Sequence, residues 1–269
     1  MRLALALLLP TVLLASPAAA DEFEPLFNGS DLTGWEGDGR FWQVEDGAIV
    51  GRTTEDNKTE SNTFLIYRGD DGGAKFGDFE LTFEYQVEGF NSGIQYRSEQ
   101  TGDGFTIKGY QADFEARWHD DGTADKFSGM FFEELGRMFL AQRGQAVVVR
   151  NNPDDAKKPR IEVVGSVGDA AELEHAIDRD GWNRYRILAD GHSFTHIIND
   201  RVMSVAFDED VPNRRDSGLI ALQLHSGPPM EIRVRDLKIR RLHTDGGDVD
   251  AGDGYAGERP EPAGRRESE

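Results

Sequence analysis

Apolar and polar positions along the chain alternate mostly with a period of two, the spacing of strands whose two faces meet different surroundings. Between residues 79 and 87, Phe79, Leu81, Phe83, Tyr85 and Val87 share one face, and Glu80, Thr82, Glu84 and Gln86 share the other. Residues 42–50 carry Asp46-Gly47 between apolar runs, a dipeptide that accepts positive φ and so predicts a tight hairpin. A second hairpin pairs 185–189 with 193–198 across Asp190-Gly191, and Asn199-Asp200 turns the chain again towards 202–207. Further strands are expected at 63–67, 79–87, 93–97, 107–114, 137–142, 146–150, 161–164, 218–225 and 232–239. Only 169–177 has helical character, with an acidic first turn. Many short strands, glycine-rich turns and no alternation of strand with helix predict an all-β antiparallel sandwich.

Both ends depart from this pattern. Residues 1–20 join a basic Arg2, an apolar run over 3–14 and the small-residue site Ala18-Ala19-Ala20, which reads as a signal peptide. The run falls short of the roughly 20 residues of a spanning helix. After His243 almost nothing can be buried, so 244–269, rich in Asp, Gly and Pro, is expected to be a disordered acidic tail. One folded domain over 21–243 is the expectation, in a protein that is secreted or periplasmic and has no membrane association once the signal is cleaved.

Charge and composition narrow the function. The 269 residues hold 50 Asp and Glu against 30 Lys and Arg, a formal net charge of −20, which argues against nucleic acid or an anionic membrane as partner. The absence of Cys removes disulfides, thiolate metal sites and thiol nucleophiles. Zinc-protease, α/β-hydrolase and phosphate-loop signatures are all missing.

Strand parity then singles out candidate chemistry. If Ile94 and Tyr96 point inward, Gln95 and Arg97 point outward; Tyr110, Ala112 and Phe114 likewise leave Gln111 and Asp113, and Ile220, Leu222 and Leu224 leave Gln223 and His225. Three strands thus each present an amide and an ionisable group, a set of donors and acceptors suited to a carbohydrate substrate. If the strands are not neighbours the pairs are surface decoration, and periodicity leaves both readings open. In Phe131-Phe132-Glu133-Glu134-Leu135-Gly136-Arg137 the adjacent carboxylates point to opposite sides, so at most one can face a cleft with Arg137; a solvated turn with a local ion pair is the alternative. His119 and His196 read as structural. No cofactor is evident, and although the acidic residues would allow a divalent cation, they specify no ligand set.

Several stretches together resemble a known family: Pro25-Leu-Phe-Asn-Gly-Ser-Asp-Leu-Thr-Gly-Trp35, Trp42-Gln-Val-Glu-Asp-Gly-Ala-Ile-Val-Gly51, Gly77-Asp-Phe-Glu-Leu81, Asn91-Ser-Gly-Ile-Gln-Tyr-Arg97, Gly181-Trp-Asn-Arg-Tyr185 and Gly218-Leu-Ile-Ala-Leu-Gln-Leu-His225. Across residues 23–241 the chain is similar to the secreted 3-keto-disaccharide hydrolases, and Glu133-Glu134-Leu-Gly-Arg137 resembles a planctomycete-like subgroup. The resemblance implies a jelly-roll sandwich of the concanavalin A-like lectin and glucanase type. Members often carry Tyr-Glu-Val-Gln where this chain has Tyr110-Gln-Ala-Asp113, so the acid is moved two places along the same strand face. The implied chemistry is removal of the C2 proton beside a C3 ketone, followed by loss of the C1 oxygen. Asp113, Glu134 or His225 would be the base, and Arg97 or Arg137 would stabilise the enolate. Gln95, Gln111 and Gln223, with Glu133 and Arg137 beside them, would hold the substrate. The competing class is a non-catalytic, lectin-like carbohydrate-binding module, because fold does not decide function. Such a module would present aromatic platforms beside few ionisable groups, whereas Asp, Arg and His share the predicted face here.

Overall fold

A computed structural model describes residues 22–116 and 126–242; the expected signal peptide, the acidic tail and His119 lie outside the described residues. The first strands are β1 (Glu24–Pro25), β2 (Trp35–Glu36), β3 (Trp42–Glu45), β4 (Ala48–Arg52), β5 (Thr63–Tyr67) and β6 (Phe79–Glu88). They are followed by β7 (Asn91–Thr101), β8 (Thr106–Glu115), β9 (Phe131–Glu134), β10 (Met138–Ala141), β11 (Gln145–Arg150) and β12 (Arg160–Ser166). After helix α1 (Ala170–Glu174) come β13 (Asn183–Asp190), β14 (Ser193–Ile198), β15 (Arg201–Asp208), β16 (Leu219–Leu224) and β17 (Glu231–Arg241).

The strands form two facing sheets, one of ten strands in the order β12-β11-β15-β14-β13-β6-β17-β4-β3 with β1 also on β17, the other of seven in the order β10-β9-β8-β7-β16-β5-β2. Pairing is antiparallel throughout except between β11 and β15. This is the antiparallel sandwich expected from the strand pattern, of the jelly-roll class that the family resemblance implies. Hairpin chemistry explains the connections: Asp46 and Gly47 have φ of 51° and 75°, and Asn199 and Asp200 have 48° and 62°. Two consecutive positive values match the right-handed twist of the flanking strands. Pairing of β13 with β14 runs one residue further than expected, to Asp190↔Ser193, so the turn falls at Gly191-His192. The helix is shorter than expected, and the Asp169 carboxylate caps it by accepting from the amides of Ala171 and Glu172, both at 3.0 Å.

Aromatic rings from the inner faces close the sandwich: Tyr85 of the large sheet stacks on Phe114 of the small one at 4.4 Å, and Phe79 meets Tyr96 edge-on at 5.9 Å. The polar face of β6 lies on the outside of the large sheet, where Glu80 pairs with Arg186 and Arg240 and Glu84 with Arg235. Among the described residues no helix is long and apolar enough to cross a membrane. One irregularity governs the site. The register of β7 against β8 shifts between Tyr96 and Glu99, where Arg97 has a φ of 44°. Such a bulge changes which face the following side chain meets.

Candidate functional site

The small sheet places β8, β7 and β16 side by side, so the three amide-bearing strands are neighbours. Gln111 lies opposite Gln95, Gln95 opposite Ala221, and Asp113 opposite Gly93. On this outer face the side chains are buried rather than bathed, with Gln95, Gln111, Asp113 and Gln223 all at most 4% exposed. Buried amides must satisfy one another. Gln95 Nε2 donates to Gln111 Oε1, Gln111 Nε2 donates to Asp113 Oδ1 at 2.6 Å, and Gln223 Oε1 lies 3.5 Å from Gln111 Nε2. Gly93 makes room for this chain: a Cβ there would sit 2.5 Å from Gln111 Cγ.

Glu134 completes the polar wall from β9. Its oxygens accept from Asn62 Nδ2 at 3.3 Å and Gln223 Nε2 at 3.2 Å, and Asn62 Oδ1 in turn accepts from the Ser226 amide at 3.0 Å. Burial raises the Glu134 carboxyl above its ordinary range, while the Asn62 and Gln223 amides pull the other way. His225, just past β16, sits edge-on to Phe90 at 4.8 Å, and its Nδ1 lies 2.6 Å from the Ser226 carbonyl oxygen. A carbonyl only accepts, so Nδ1 carries the proton and Nε2 presents a lone pair. Burial lowers the His225 pKa, opposed by that same carbonyl, which keeps the ring neutral at ordinary pH.

These groups border a cleft of about 210 Å³. Asn91, Gln111, Asp113, Glu134, Gln223 and His225 make its polar side, and Phe127, Phe132, Met138 and Phe139 its apolar side. The buried Oδ1 of Asn91 has no hydrogen-bond partner, so this amide is available to a ligand. Among the described residues no Lys or Arg lines the cleft, and no group of three or more His, Asp or Glu is placed to hold a metal ion. A larger hollow of about 480 Å³ beside Glu88, Asp178 and Arg179 contains none of Gln95, Gln111 and Gln223.

Three expected site residues lie elsewhere. Arg97 was expected on the outer face, but the bulge turns it inward, over the Phe194 ring at 5.1 Å and fully buried. Its guanidinium donates to the carbonyls of Gly77, Gly191 and Arg215 and to Asp78 at 2.7 Å, so it ties loops together instead of facing a ligand. Glu133 and Arg137 also leave the expected site, because parity sends Glu134 outward and its neighbour to the opposite side. Arg137 binds Glu133 at 2.5 Å, Asp208 at 2.6 Å and Asp210 at 3.2 Å, and Tyr110 donates to Asp208 at 2.6 Å. Burial works against the Arg137 charge, but the Asp208 and Glu133 carboxylates outweigh it and hold it protonated. His196, read as structural, is buried between Tyr96 Oη at 2.9 Å and the Met130 carbonyl at 3.1 Å, and burial depresses its pKa to about 3.

Sequence reasoning missed Asn62, Asn91 and the aromatic side of the cleft. Asn91 shares parity with Gly93 and Gln95, and Asn62 with Phe64 and Ile66, so period-two counting extended by one step would have found both. Nothing in the spacing marks Phe127.

The β-sandwich thus carries on one sheet an amide-rich cleft with ionisable groups at its rim, a set of donors and acceptors suited to a carbohydrate. Residues 22–240 match the 3-keto-alpha-glucoside-1,2-lyase-like domain, and the chain is a member of that family. The family ties the chain to carbohydrate chemistry. A protein of Parabacteroides distasonis provisionally named a glycosyl hydrolase shares 17% identity at a TM-score of 0.52, over 82% of this chain and 100% of its own. A Bacillus subtilis protein of unknown function with a galectin-like fold shares 13% identity at a TM-score of 0.55, over 83% of this chain and 96% of its own. Both likenesses concern the fold. No curated protein matches the chain.

Proposed function

We propose that the chain cleaves 3-keto-glycosides by elimination, as a lyase or, with water adding afterwards, as a hydrolase, outside the cytoplasm. The observation that carries this reading is the pairing in one cleft of a histidine held neutral with its Nε2 lone pair exposed and a carboxyl whose pKa burial raises. Both shifts favour the uncharged forms, a histidine that can accept a proton and a carboxyl that can donate one. His225 Nε2 takes the C2 proton, and the C2–H electron pair forms the enolate with the C3 carbonyl. The enolate then collapses, the C1–O bond breaks, and Glu134 supplies the proton that the leaving oxygen accepts. The products are a 1,2-enone and a free alcohol. Water adding across the new double bond converts the enone to a free 3-keto sugar.

Arg97 and Arg137 are directed elsewhere, so the enolate oxygen is met by an amide N–H, with Asn91 Nδ2 best placed because the Gln111 Nε2 hydrogens are already given to Asp113 and Gln223. Asp113 and Gln95 hold Gln111 from either side, and Gln223 meets the ring hydroxyls. The test is incubation of the protein with 3-keto-trehalose, 3-keto-lactose and their unoxidised parents in heavy water. Cleavage of only the oxidised sugars, with deuterium at C2 of any hydrated product, supports the reaction. Cleavage of the parents overturns it, and tight binding without turnover would make the chain a carbohydrate-binding module.

A further inference from the structure

The hairpin of β9 and β10 has a second side. Beyond Glu134 the chain turns through Leu135, Gly136 and Arg137, and Leu135, Met138, Phe139, Pro159 and Ile161 wall an open groove of about 550 Å³. Leu135 is 52% exposed, Met138 49%, Phe139 45% and Ile161 38%. In a chain with 30% charged residues, such a concentration of exposed apolar side chains marks a contact surface. Leu135 and Met138 also hold φ of 54° and 67°, a left-handed backbone that costs a bulky residue energy and tends to persist where function needs it. Three charged side chains border the groove: Arg137, already bound by Glu133 and Asp208, and Lys157 and Lys158, the last paired with Asp155 at 3.3 Å.

The groove adjoins the cleft, and Met138 and Phe139 line both. Glu134, which faces the leaving oxygen in the reading above, immediately precedes this turn, so a group departing from C1 leaves along the hairpin. We infer that the groove is the leaving-group subsite, and that the preferred substrates are 3-keto-glycosides of apolar alkyl or aryl alcohols rather than disaccharides. A second sugar ring would bring several hydroxyls to a wall that offers them few partners, at the cost of their desolvation. This inference rests on the proposed reaction.

An alkyl series separates binding from leaving-group chemistry, since methyl and hexyl alcohols leave with nearly equal ease. Methyl and hexyl 3-keto-glucosides of both anomers are compared with 3-keto-trehalose by kcat/KM. A methylene taken fully out of water is worth about fourfold. In an open groove the hexyl compound should exceed the methyl one by roughly tenfold or more, and Ile161→Ser should cut that ratio by about threefold or more. Equal efficiencies across the series, or a preference for 3-keto-trehalose over the hexyl compound, would overturn the subsite while leaving the reaction standing. If no 3-keto-glycoside is turned over, the reaction falls, and calorimetry with hexyl and methyl glucosides decides the groove. Hexyl binding weakened by Ile161→Ser would retain an apolar-glycoside subsite, and equal binding of the two would dismiss it.

Discussion

Replacing Arg97 with Met separates a structural from a catalytic role, because it keeps an aliphatic stem and removes only the guanidinium. The guanidinium makes four kinds of contact, three to backbone carbonyls and one to Asp78. Asp78 is 32% exposed and can regain water, whereas the Arg97 side chain is wholly buried. Removing one member of a buried pair costs about 3 to 5 kcal/mol, and the partial exposure of Asp78 places this case near the lower end. For a folded unit of this size each kcal/mol shifts the melting temperature by roughly 2 to 4 °C. Arg97→Met should therefore melt roughly 10 °C lower and lose about 3 kcal/mol in urea. Turnover of a 3-keto-glycoside measured well below the transition should stay within about threefold of the parent. Thermal and urea denaturation, run beside initial rates, check both halves. An unchanged melting temperature with turnover reduced 100-fold would show that Arg97 reaches the substrate and that the bulge has been misread.

Gly93→Ala forces a methyl against the buried Gln111 side chain and should cost about 1 to 3 kcal/mol of stability as well as weaken carbohydrate binding and turnover; unaffected binding and turnover would remove Gln111 from the site. Replacing His225 with Gln should lower turnover by about 100-fold or more. In the parent enzyme the acid limb of kcat/KM should follow a His225 pKa that burial sets below 6.5, with a basic limb as Glu134 loses its proton, and an acid limb centred above 6.5 would refute the assignment. His196 stays neutral in the fold down to about pH 3 but is protonated below about 6.5 once unfolded. Its stabilisation is complete above 6.5 and declines by up to about 1.4 kcal/mol per pH unit below that. His196→Phe should flatten the acid slope of urea-derived stability, and an unchanged slope would show that the ring titrates alike in both states.

The two-sheet architecture was legible because apolar and polar residues alternate through β6 and from Tyr110 to Glu115 of β8, and because Asp46-Gly47 and Asn199-Asp200 declare their turns. Period-two reasoning also brought Gln95, Gln111, Asp113, Gln223 and His225 to one face. It failed at Arg97, since nothing local distinguishes Gln95-Tyr96-Arg97 from an unbroken strand; the extra residue is set by how β7 pairs with β8. Glu134 and Glu133 could not be separated from sequence, because adjacent positions always point apart and only the partner strand decides which side is the cleft. Burial of the outer face was equally hidden. It depends on the β9–β10 hairpin folding beside amides that are distant in the chain.

Arg137 has a mechanical consequence. It sits on the hairpin that carries Glu134 and Phe139, yet its strongest partner, Asp208, ends β15 in the opposite sheet, and Asp210 follows just beyond. The wall of the cleft is thereby bolted through the thickness of the sandwich. To swing outward as a flap, the hairpin would have to strip a buried cation from its carboxylates, at a cost comparable to a large part of the folding free energy. The hairpin amides should therefore exchange with solvent as slowly as core strands do, and a ligand entering the cleft meets a surface already in its working shape.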